Sequence, residues 1–296
     1  MEEMATQAQL YRNGIISYVY RLTGSFEEAQ DIAQETALKY ISTNSQEILN
    51  PKAWMFRVAT NLSWDFLKSA KTKRESYIGP WLPEPFIEDS FAVEDELELD
   101  ESLSMALLIV MEKLSSKEKI SYLLYDIFSF SHNEIATILN TSEQNSRKLS
   151  SRANRKLKSH KNKFSPTKNE HEELTNSFLK AIKKGNFEDL KKIFSDEVTL
   201  CSDGGGKAVA YKKVLHGDSA KITKFLINVV SREFLIENND LSIKMAWFNG
   251  SPGFIVLQKE KVITSFNFEV INNKISSVFI LRNPDKLKFF YNLMDG

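Results

Sequence analysis

Arg57, Asn61, Trp64, Lys68 and Lys71 recur at steps of four, three, four and three residues. At about 100 degrees of rotation per residue this spacing gathers all of them within one narrow arc of a helix. Arginine and lysine neutralise phosphates, an asparagine amide can read or hold a base edge, and an exposed tryptophan can stack on an unpaired base. The arc therefore suits nucleic acid. The plainer reading makes Trp54 and Trp64 ordinary core aromatics, and for Trp54 that reading is preferred. A second cationic set lies at Arg147, Lys148, Ser151, Arg152 and Arg155, with Glu143, Asn154, Lys156 and Lys158 among them. Ser146, Leu149, Ala153 and Leu157 share the opposite arc and face inward. Arg147 is suited to a base contact, because its fork can hold guanine with two hydrogen bonds, and Lys148, Arg152, Arg155 and Lys156 are suited to phosphates.

These side chains need helices beneath them. Ser25 with Glu28 has the form of a capping box, predicting a helix to about Tyr40 with Ala29, Ile32, Ala33, Thr36 and Tyr40 buried. Its other face repeats Glu27, Asp31 and Gln34 at steps of four and three, which is either a solvated acidic surface or a stripe for a basic partner. Asn50-Pro51 breaks the chain, and a helix from about Lys52 to Lys71 follows with Val58, Leu62 and Phe66 as its expected core side. Met105–Leu114 and Ser116–Phe128 form an amphipathic pair. Ser131 with Glu134 opens a helix through Leu139, Asn140 suits a left-handed turn, and Ser142 caps the helix that carries Arg147. The pair reads as a helix-turn-helix. Ser146 stands where a branched apolar residue is common, so looser packing is expected there.

Composition bounds the rest. A chain of 296 residues suits two or three domains. The formal net charge is +0, so contact with DNA must come from local basic faces. One cysteine, Cys201, permits no intrachain disulfide, and the start lacks the pattern of a secretory signal. A cytoplasmic protein, monomeric when free, is expected, with no membrane segment, metal or cofactor. Between the helical blocks runs Gly79-Pro-Trp-Leu-Pro-Glu-Pro85, extended because of its prolines, and then an acidic stretch from Glu88 to Glu101. Trp81 and Leu82, apolar groups in a stiff strand, are natural docking points for another domain.

The first block, through Asp31-Ile-Ala-Gln-Glu35, Ala53-Trp-Met-Phe-Arg-Val-Ala-Thr-Asn-Leu62 and Asp65-Phe-Leu-Lys68, resembles region 2 of extracytoplasmic-function (ECF) sigma factors of the sigma-70 type. The resemblance implies that Asp31, Gln34 and Glu35 bind the RNA polymerase core enzyme. It also implies that Arg57, Asn61, Trp64, Lys68 and Lys71 meet the minus-ten element, melted as well as double-stranded, and that the loop Ser42–Asn50 receives a flipped base. The family usually ends this region in arginines, whereas here Lys68, Lys71, Lys73 and Arg74 stand, which favours holding phosphate over reading bases. Leu114-Ser-Ser-Lys-Glu-Lys119, Ile135-Ala136 and Ser142 to Leu157 resemble sigma region 4. That implies a minus-thirty-five contact through Arg147, Lys148, Ser151, Arg152 and Arg155.

From Glu170 the pattern changes. Leu174, Phe178 and Ile182 mark a helix ending at Gly185, and Phe187, Leu190 and Ile193 mark another. Strands are expected at Leu241–Phe248, with Ile243, Met245 and Trp247 alternating, and at Phe254–Leu257, Val262–Val270 and Ile275–Arg282, as an antiparallel meander. The result is an α+β cone that resembles the SnoaL-like, NTF2-like domains. Asp203-Gly204-Gly205-Gly206-Lys207, Trp81-Leu82-Pro83-Glu-Pro85 and Asn283-Pro284-Asp285-Lys-Leu287 match the SigJ-like ECF group with a fused SnoaL-like domain. The match implies that this domain regulates activity in cis through those strings. The fold class expected is multidomain: two all-α domains plus the cone. Boundaries are expected at 1–76, 77–104 (linker), 105–163 and 164–296. Two other readings stay open. One is a helix-turn-helix regulator whose cone senses a small ligand; the other is an NTF2-like isomerase or cyclase using Asp203, His216 or Asp218 as acid or base.

Overall fold

The computed structural model describes residues 2–43, 48–85, 104–158, 168–228, 240–288 and 290. Two compact units result: residues 1–76, 93–103 and 107–162 in a helical unit, and residues 77–92, 104–106 and 163–296 in a unit built around a sheet. The acidic stretch from Glu88 to Glu101 lies outside the described residues, as do residues 44–47 of the loop Ser42–Asn50 and residues 159–167.

The helical unit begins with α1 (Glu2–Thr23), α2 (Phe26–Ser42) and α3 (Pro51–Glu75). Gly24, at φ 74°, turns the chain out of α1, and Ser25 Oγ accepts the Glu28 backbone N–H to start α2. The buried face of α2 holds Phe26, Ala29, Ile32, Ala33, Thr36 and Tyr40. Asn50 Oδ1 accepts from Ala53 N at 3.0 Å, and Pro51 occupies the first helical position, where its missing N–H costs nothing. The core side of α3 differs from expectation. Met55, Phe56, Ala59, Thr60 and Ser63 are buried, while Val58, Leu62 and Phe66 are half-buried. Apolar residues form two neighbouring stripes on α3, and the polar groups decide which one turns inward. Thr60 bonds the Tyr18 hydroxyl at 2.8 Å, and the Thr60 and Ser63 hydroxyls donate to Phe56 O and Ala59 O within the helix. Both hydroxyls can therefore be buried without leaving a donor unsatisfied.

The helices α4 (Met105–Met111), α5 (Ser116–Tyr122), α6 (His132–Ile138) and α7 (Glu143–Leu157) follow, with a π-helical segment at Leu123–Ile127. Ser115 with Glu118 and Ser131 with Glu134 form reciprocal capping boxes. Asn140 takes φ 47° between α6 and α7, and Ser142 Oγ accepts from Asn145 N. Ser146 is fully buried, and its environment is polar rather than loose. Its hydroxyl meets His132 Nδ1 at 3.1 Å, and Ser121 Oγ donates to Ser146 O and pairs with Ser150 Oγ at 2.8 Å. Directional bonds tie α5, α6 and α7 together where an aliphatic side chain would otherwise pack.

The second unit contains α8 (Lys168–Lys183), α9 (Phe187–Ile193), β1 (Phe194–Asp203), β2 (Leu215–His216), α10 (Ser219–Leu226), β3 (Leu241–Phe248), β4 (Ser251–Gln258), β5 (Lys261–Ile271), β6 (Lys274–Leu281) and α11 (Pro284–Leu287). Strand order is β2-β1-β6-β5-β4-β3. The meander β3 to β6 is antiparallel, but β1 joins β6 in parallel, so the sheet is mixed rather than all antiparallel. β1 is hard to see in sequence because its first half, Ser195-Asp-Glu197, is polar, and buried alternation begins only at Val198. The meander turns carry positive φ at Asn249-Gly250, Asn272-Asn273 and, against propensity, Lys259-Glu260. In β3 the expected alternation does not become a buried stripe: Met245 is exposed and Phe248 is the buried member. Packed phenylalanines fill the core between α8 and the sheet. Phe178 lies 4.8 Å from Phe268, and Phe254 stacks on Phe266 at 4.5 Å. No helix among the described residues is long and apolar enough to cross a membrane.

Gly253 of β4 sits where a Cβ would collide with the backbone oxygen of Phe266 and press on the Phe248 ring. Gly253→Ala should therefore cost about 1–3 kcal/mol, the usual range for overpacking a well-filled core, read as a lowered midpoint in urea denaturation.

Candidate nucleic-acid interface and linker dock

On α2, Asp31, Gln34 and Glu35 are all exposed on one face, with Leu38 beside them 62% exposed and Glu35 paired to Lys39 at 3.1 Å. On α3, Arg57, Asn61 and Lys68 are exposed and Trp64 is half-buried. Lys68 pairs with Asp65 at 3.3 Å, an exposed contact that a phosphate can replace at little cost. Lys71, Lys73 and Arg74 lie on the helical backbone of α3, but their side chains are outside the described residues. Trp54 is half-buried against the Tyr40 ring at 5.7 Å, close to the core role expected for it.

Arg147, Lys148, Ser151, Arg152 and Arg155 are all exposed on α7, opposite the buried Ser146, Leu149, Ala153 and Leu157. Arg147 pairs with Glu143 one turn earlier at 2.5 Å. Two residues assigned to the cationic face have structural duties instead. Lys156 bonds the buried Glu118 carboxylate at 2.8 Å, and Asn154 bonds Asp126 at 2.9 Å. Burial pushes the Glu118 carboxyl up, but Lys156 and the Ser115 donors outweigh it and hold the group below its ordinary value. His132 is shifted down, first by burial and then by the Arg147 charge, which favours a neutral ring in the bond to Ser146.

The two helical modules touch within their unit. Phe56 of α3 meets Phe128 at 5.2 Å and Phe130 at 5.0 Å, and Tyr18 meets Phe128 edge-on at 5.7 Å. Such ring pairs are worth about 0.5–1.5 kcal/mol each beyond area burial. Lys52 donates to Phe128 O and lies 4.9 Å over the Phe130 ring, Asn50 Nδ2 donates to Glu134 Oε1 at 3.2 Å, and the buried Lys119 donates to Leu22 O. Beside this seam is a cleft of about 380 Å³, lined from one side by Leu49, Trp54 and Arg57 and from the other by Asn133, Glu134 and Thr137. Sequence reading missed Phe128 and Phe130 as seam residues. Nothing in their own spacing marks which helix they face.

The strings around residues 81, 203 and 283 converge in the second unit. Asp203 ends β1 with its side chain fully buried. Its carboxylate accepts from the Tyr77 hydroxyl at 2.5 Å, Leu82 N at 2.9 Å, Gly205 N at 3.0 Å and Lys286 Nζ at 2.7 Å. Lys286 also donates to Leu82 O and lies 4.3 Å from the centre of the Trp81 ring. Leu82 is 1% exposed and Pro83 is buried, so the stiff strand is docked, not free. Asn283 Nδ2 donates to the Tyr77 oxygen at 2.8 Å, while its Oδ1 caps α11 at Asp285 N and Pro284 fills the first turn. Lys207 and Asp285 pair at the rim at 2.5 Å.

The glycines are needed for close approach. A Cβ on Gly204 would strike Ala208 O, one on Gly205 would enter the Asn283 amide, and one on Gly206 would come within 2.8 Å of Ile78. Tyr77 and Lys286 were not singled out from sequence, although Lys286 lies inside the string Asn283 to Leu287. Burial, and then the Asp203 acceptor, push the Tyr77 phenol well above its usual value, so it stays a donor. Asp203, His216 and Asp218 do not assemble into an acid-base site. His216 is exposed and pairs with Thr199, four residues from Asp203 along β1, or about 13 Å at strand rise. Asp218 is exposed and caps α10 through Lys221 N. Among the described residues no cluster of three or more histidine, cysteine or carboxylate groups could hold a metal ion.

Asp203→Ala would strand the ammonium of Lys286, 11% exposed, without its counter-charge. A loss of about 3–5 kcal/mol is expected in urea denaturation. The Asp203→Ala/Lys286→Met pair should recover part of that loss, since neither charge is then left buried alone.

Residues 8–73 match the family model described as Sigma-70 region 2, and residues 104–157 match Sigma-70, region 4. The chain is 28% identical over 293 residues to the ECF RNA polymerase sigma factor SigJ of Mycobacterium tuberculosis (strain ATCC 25618 / H37Rv), covering 95% of this chain and 92% of that protein. It is 31% identical over 153 residues to the ECF RNA polymerase sigma factor SigW of Bacillus subtilis (strain 168), covering 47% of this chain and 78% of that one. The crystal structure of Mycobacterium tuberculosis extracytoplasmic function sigma factor SigJ superposes with a TM-score of 0.74 at 26% identity, covering 97% of this chain and 98% of that chain. With two sigma region models in chain order and this likeness running through the cone, the chain belongs to the ECF RNA polymerase sigma factors.

Proposed function

We propose that this sigma factor binds RNA polymerase core through Asp31, Gln34 and Glu35, engages the minus-ten element through Arg57, Asn61, Trp64, Lys68 and Lys71, and reads the minus-thirty-five element through Arg147, Lys148, Ser151, Arg152 and Arg155. Family membership carries the activity. The exposure of these side chains on single faces of α2, α3 and α7 supports the assignment of roles. In this reading 1–76 and 105–163 are the two promoter-reading modules, 77–104 joins them, and 164–296 regulates. The cone acts by holding the linker at Asp203, Gly204, Gly205, Gly206, Lys207, Asn283, Pro284 and Asp285, with Trp81, Leu82 and Pro83 as the held segment. The chain catalyses no reaction itself. An acid-base role for the cone finds little support in Asp203, whose oxygens are already occupied by four donors. Cys201 is no nucleophile either: burial first, then the Asp203 charge, push its thiol up to about 12.

Run-off transcription with core polymerase tests the activity, and transcripts are expected only when this chain is added. Deleting residues 164–296 should alter the yield from a cognate promoter, and an unchanged yield would remove the case for regulation in cis. Arg147→Ala should lower discrimination at one position of the minus-thirty-five element by about 1–3 kcal/mol, or about 5- to 150-fold in relative binding. A loss spread evenly over all sequences would mark Arg147 as a phosphate contact instead.

A further inference from the structure

We infer that Gln144 reads an adenine of the minus-thirty-five element, as a specificity-determining residue of α7. The inference deepens the proposed reading of that element by α7 and rests on it. At about 100 degrees per residue, Gln144, Lys148, Ser151 and Arg155 fall within about 60 degrees of one another, opposite the buried Ser146, Leu149, Ala153 and Leu157. All four are exposed. Arg147 and Arg152 stand about 70 degrees to either side of the centre of that stripe. Gln144 is therefore the residue of the outward centre that lies in the first turn of α7. First-turn residues are the ones that reach base edges when such a helix enters the major groove.

Hydrogen bonding separates Gln144 from its neighbours. Glu143 and Arg147 are paired with each other at 2.5 Å, and Asn145 Nδ2 donates to Thr141 Oγ1 at 2.8 Å. Among the described residues the Gln144 amide has no partner. Its backbone is nonetheless set, since Ser142 Oγ accepts from Asn145 N at 3.2 Å and Ser146, two residues on, bonds the His132 ring. A free amide on a fixed backbone is preorganised for recognition, because only the side chain has to be ordered on binding. The amide also limits which base it can recognise. Its carbonyl and NH2 lie side by side as acceptor and donor. In the major groove adenine presents the complementary pair, the N6 amino donor and the N7 acceptor. Guanine shows two acceptors, thymine an acceptor and a methyl group, and cytosine a donor. A phosphate would use only the NH2 half of the amide, and a neutral side chain gains nothing from counterion release.

The test is selection from a randomised duplex library, placed upstream of the minus-ten element, by holoenzyme assembled from core polymerase and the full-length chain. The wild-type chain should enrich adenine at one position. Gln144→Ala should lose that preference by about 5- to 150-fold and keep the preferences at all other positions. Gln144→Glu can only accept, and should move the preference at the same position to cytosine, whose N4 amino group donates. An acidic residue in the first turn also suits the helix dipole, so this variant should fold as the wild type does. Deaza-adenine, which lacks the N7 acceptor, placed at that position should weaken the wild-type complex and leave the Gln144→Ala complex unchanged. A merely structural role for Gln144 would not follow the identity of one base. An alanine variant with wild-type preferences, a loss spread evenly over all sequences, or a wild type indifferent to deaza-adenine would each overturn the assignment of Gln144 and leave α7 as the reader. Transcription by a wild-type holoenzyme with no preference anywhere in the library would instead sink the reading by α7 itself.

Discussion

A carboxylate fully removed from water organises the C-terminal unit. Burial of the Asp203 carboxylate is tolerable because four donors converge on its two oxygens, and two of these, Tyr77 and Leu82 N, come from the linker. The dependence runs both ways. Without the linker strand the carboxylate loses two partners, and without the carboxylate the strand loses its anchor and Lys286 its counter-charge. Desolvation makes this exchange severe, because a buried charge that loses its partners costs several times what an exposed ion pair gains. Linker and cone thus form one structural piece, and residues 77–85 fold with the sheet and not with the helices they follow in sequence.

The helical unit solves its polar problems differently. Its buried hydroxyls either bond back within a helix, as Thr60 and Ser63 do, or join elements, as Ser121, Ser146 and Ser150 do. Neutral bonds of this kind are each worth about 1 kcal/mol and specify geometry more than they add stability. Helix α7 is accordingly oriented by hydrogen bonds on its inner side, while Leu149, Ala153 and Leu157 supply burial. Its outer arginines, Arg147, Arg152 and Arg155, stay exposed.

Much of this was legible in sequence because capping chemistry is local. Ser25 and Ser131 announce their helices by the glutamates three positions on, Ser142 caps a third, and Asn140, Gly185 and Asn249-Gly250 mark turns through conformations few residues accept. The strings around Trp81, Asp203 and Asn283 were recognisable as a set, yet their chemistry was not. Tyr77 and Lys286 gain meaning only when residues 77, 203 and 286 meet in space. Choices between equivalent faces were also illegible. On α3 two apolar stripes compete, and Tyr18, more than 30 residues away, selects the one with Thr60. β1 was missed because its polar first half masks the period. Lys259-Glu260 was missed because neither residue favours the left-handed region it adopts.

The parallel pairing of β1 with β6 has a further consequence. Register sets Asp203 opposite Leu281, so that Arg282 N and Asn283 N both reach Asp203 O, and the two strands deliver their C-terminal ends to the same rim. Because successive strand residues point to opposite faces, a slip of one position between these strands would invert Asp203 and release the linker. Attachment of the linker is therefore a property of sheet alignment: a lesion deep in β1 or β6 that shifts their register can undo the dock while leaving every residue of the linker itself unchanged.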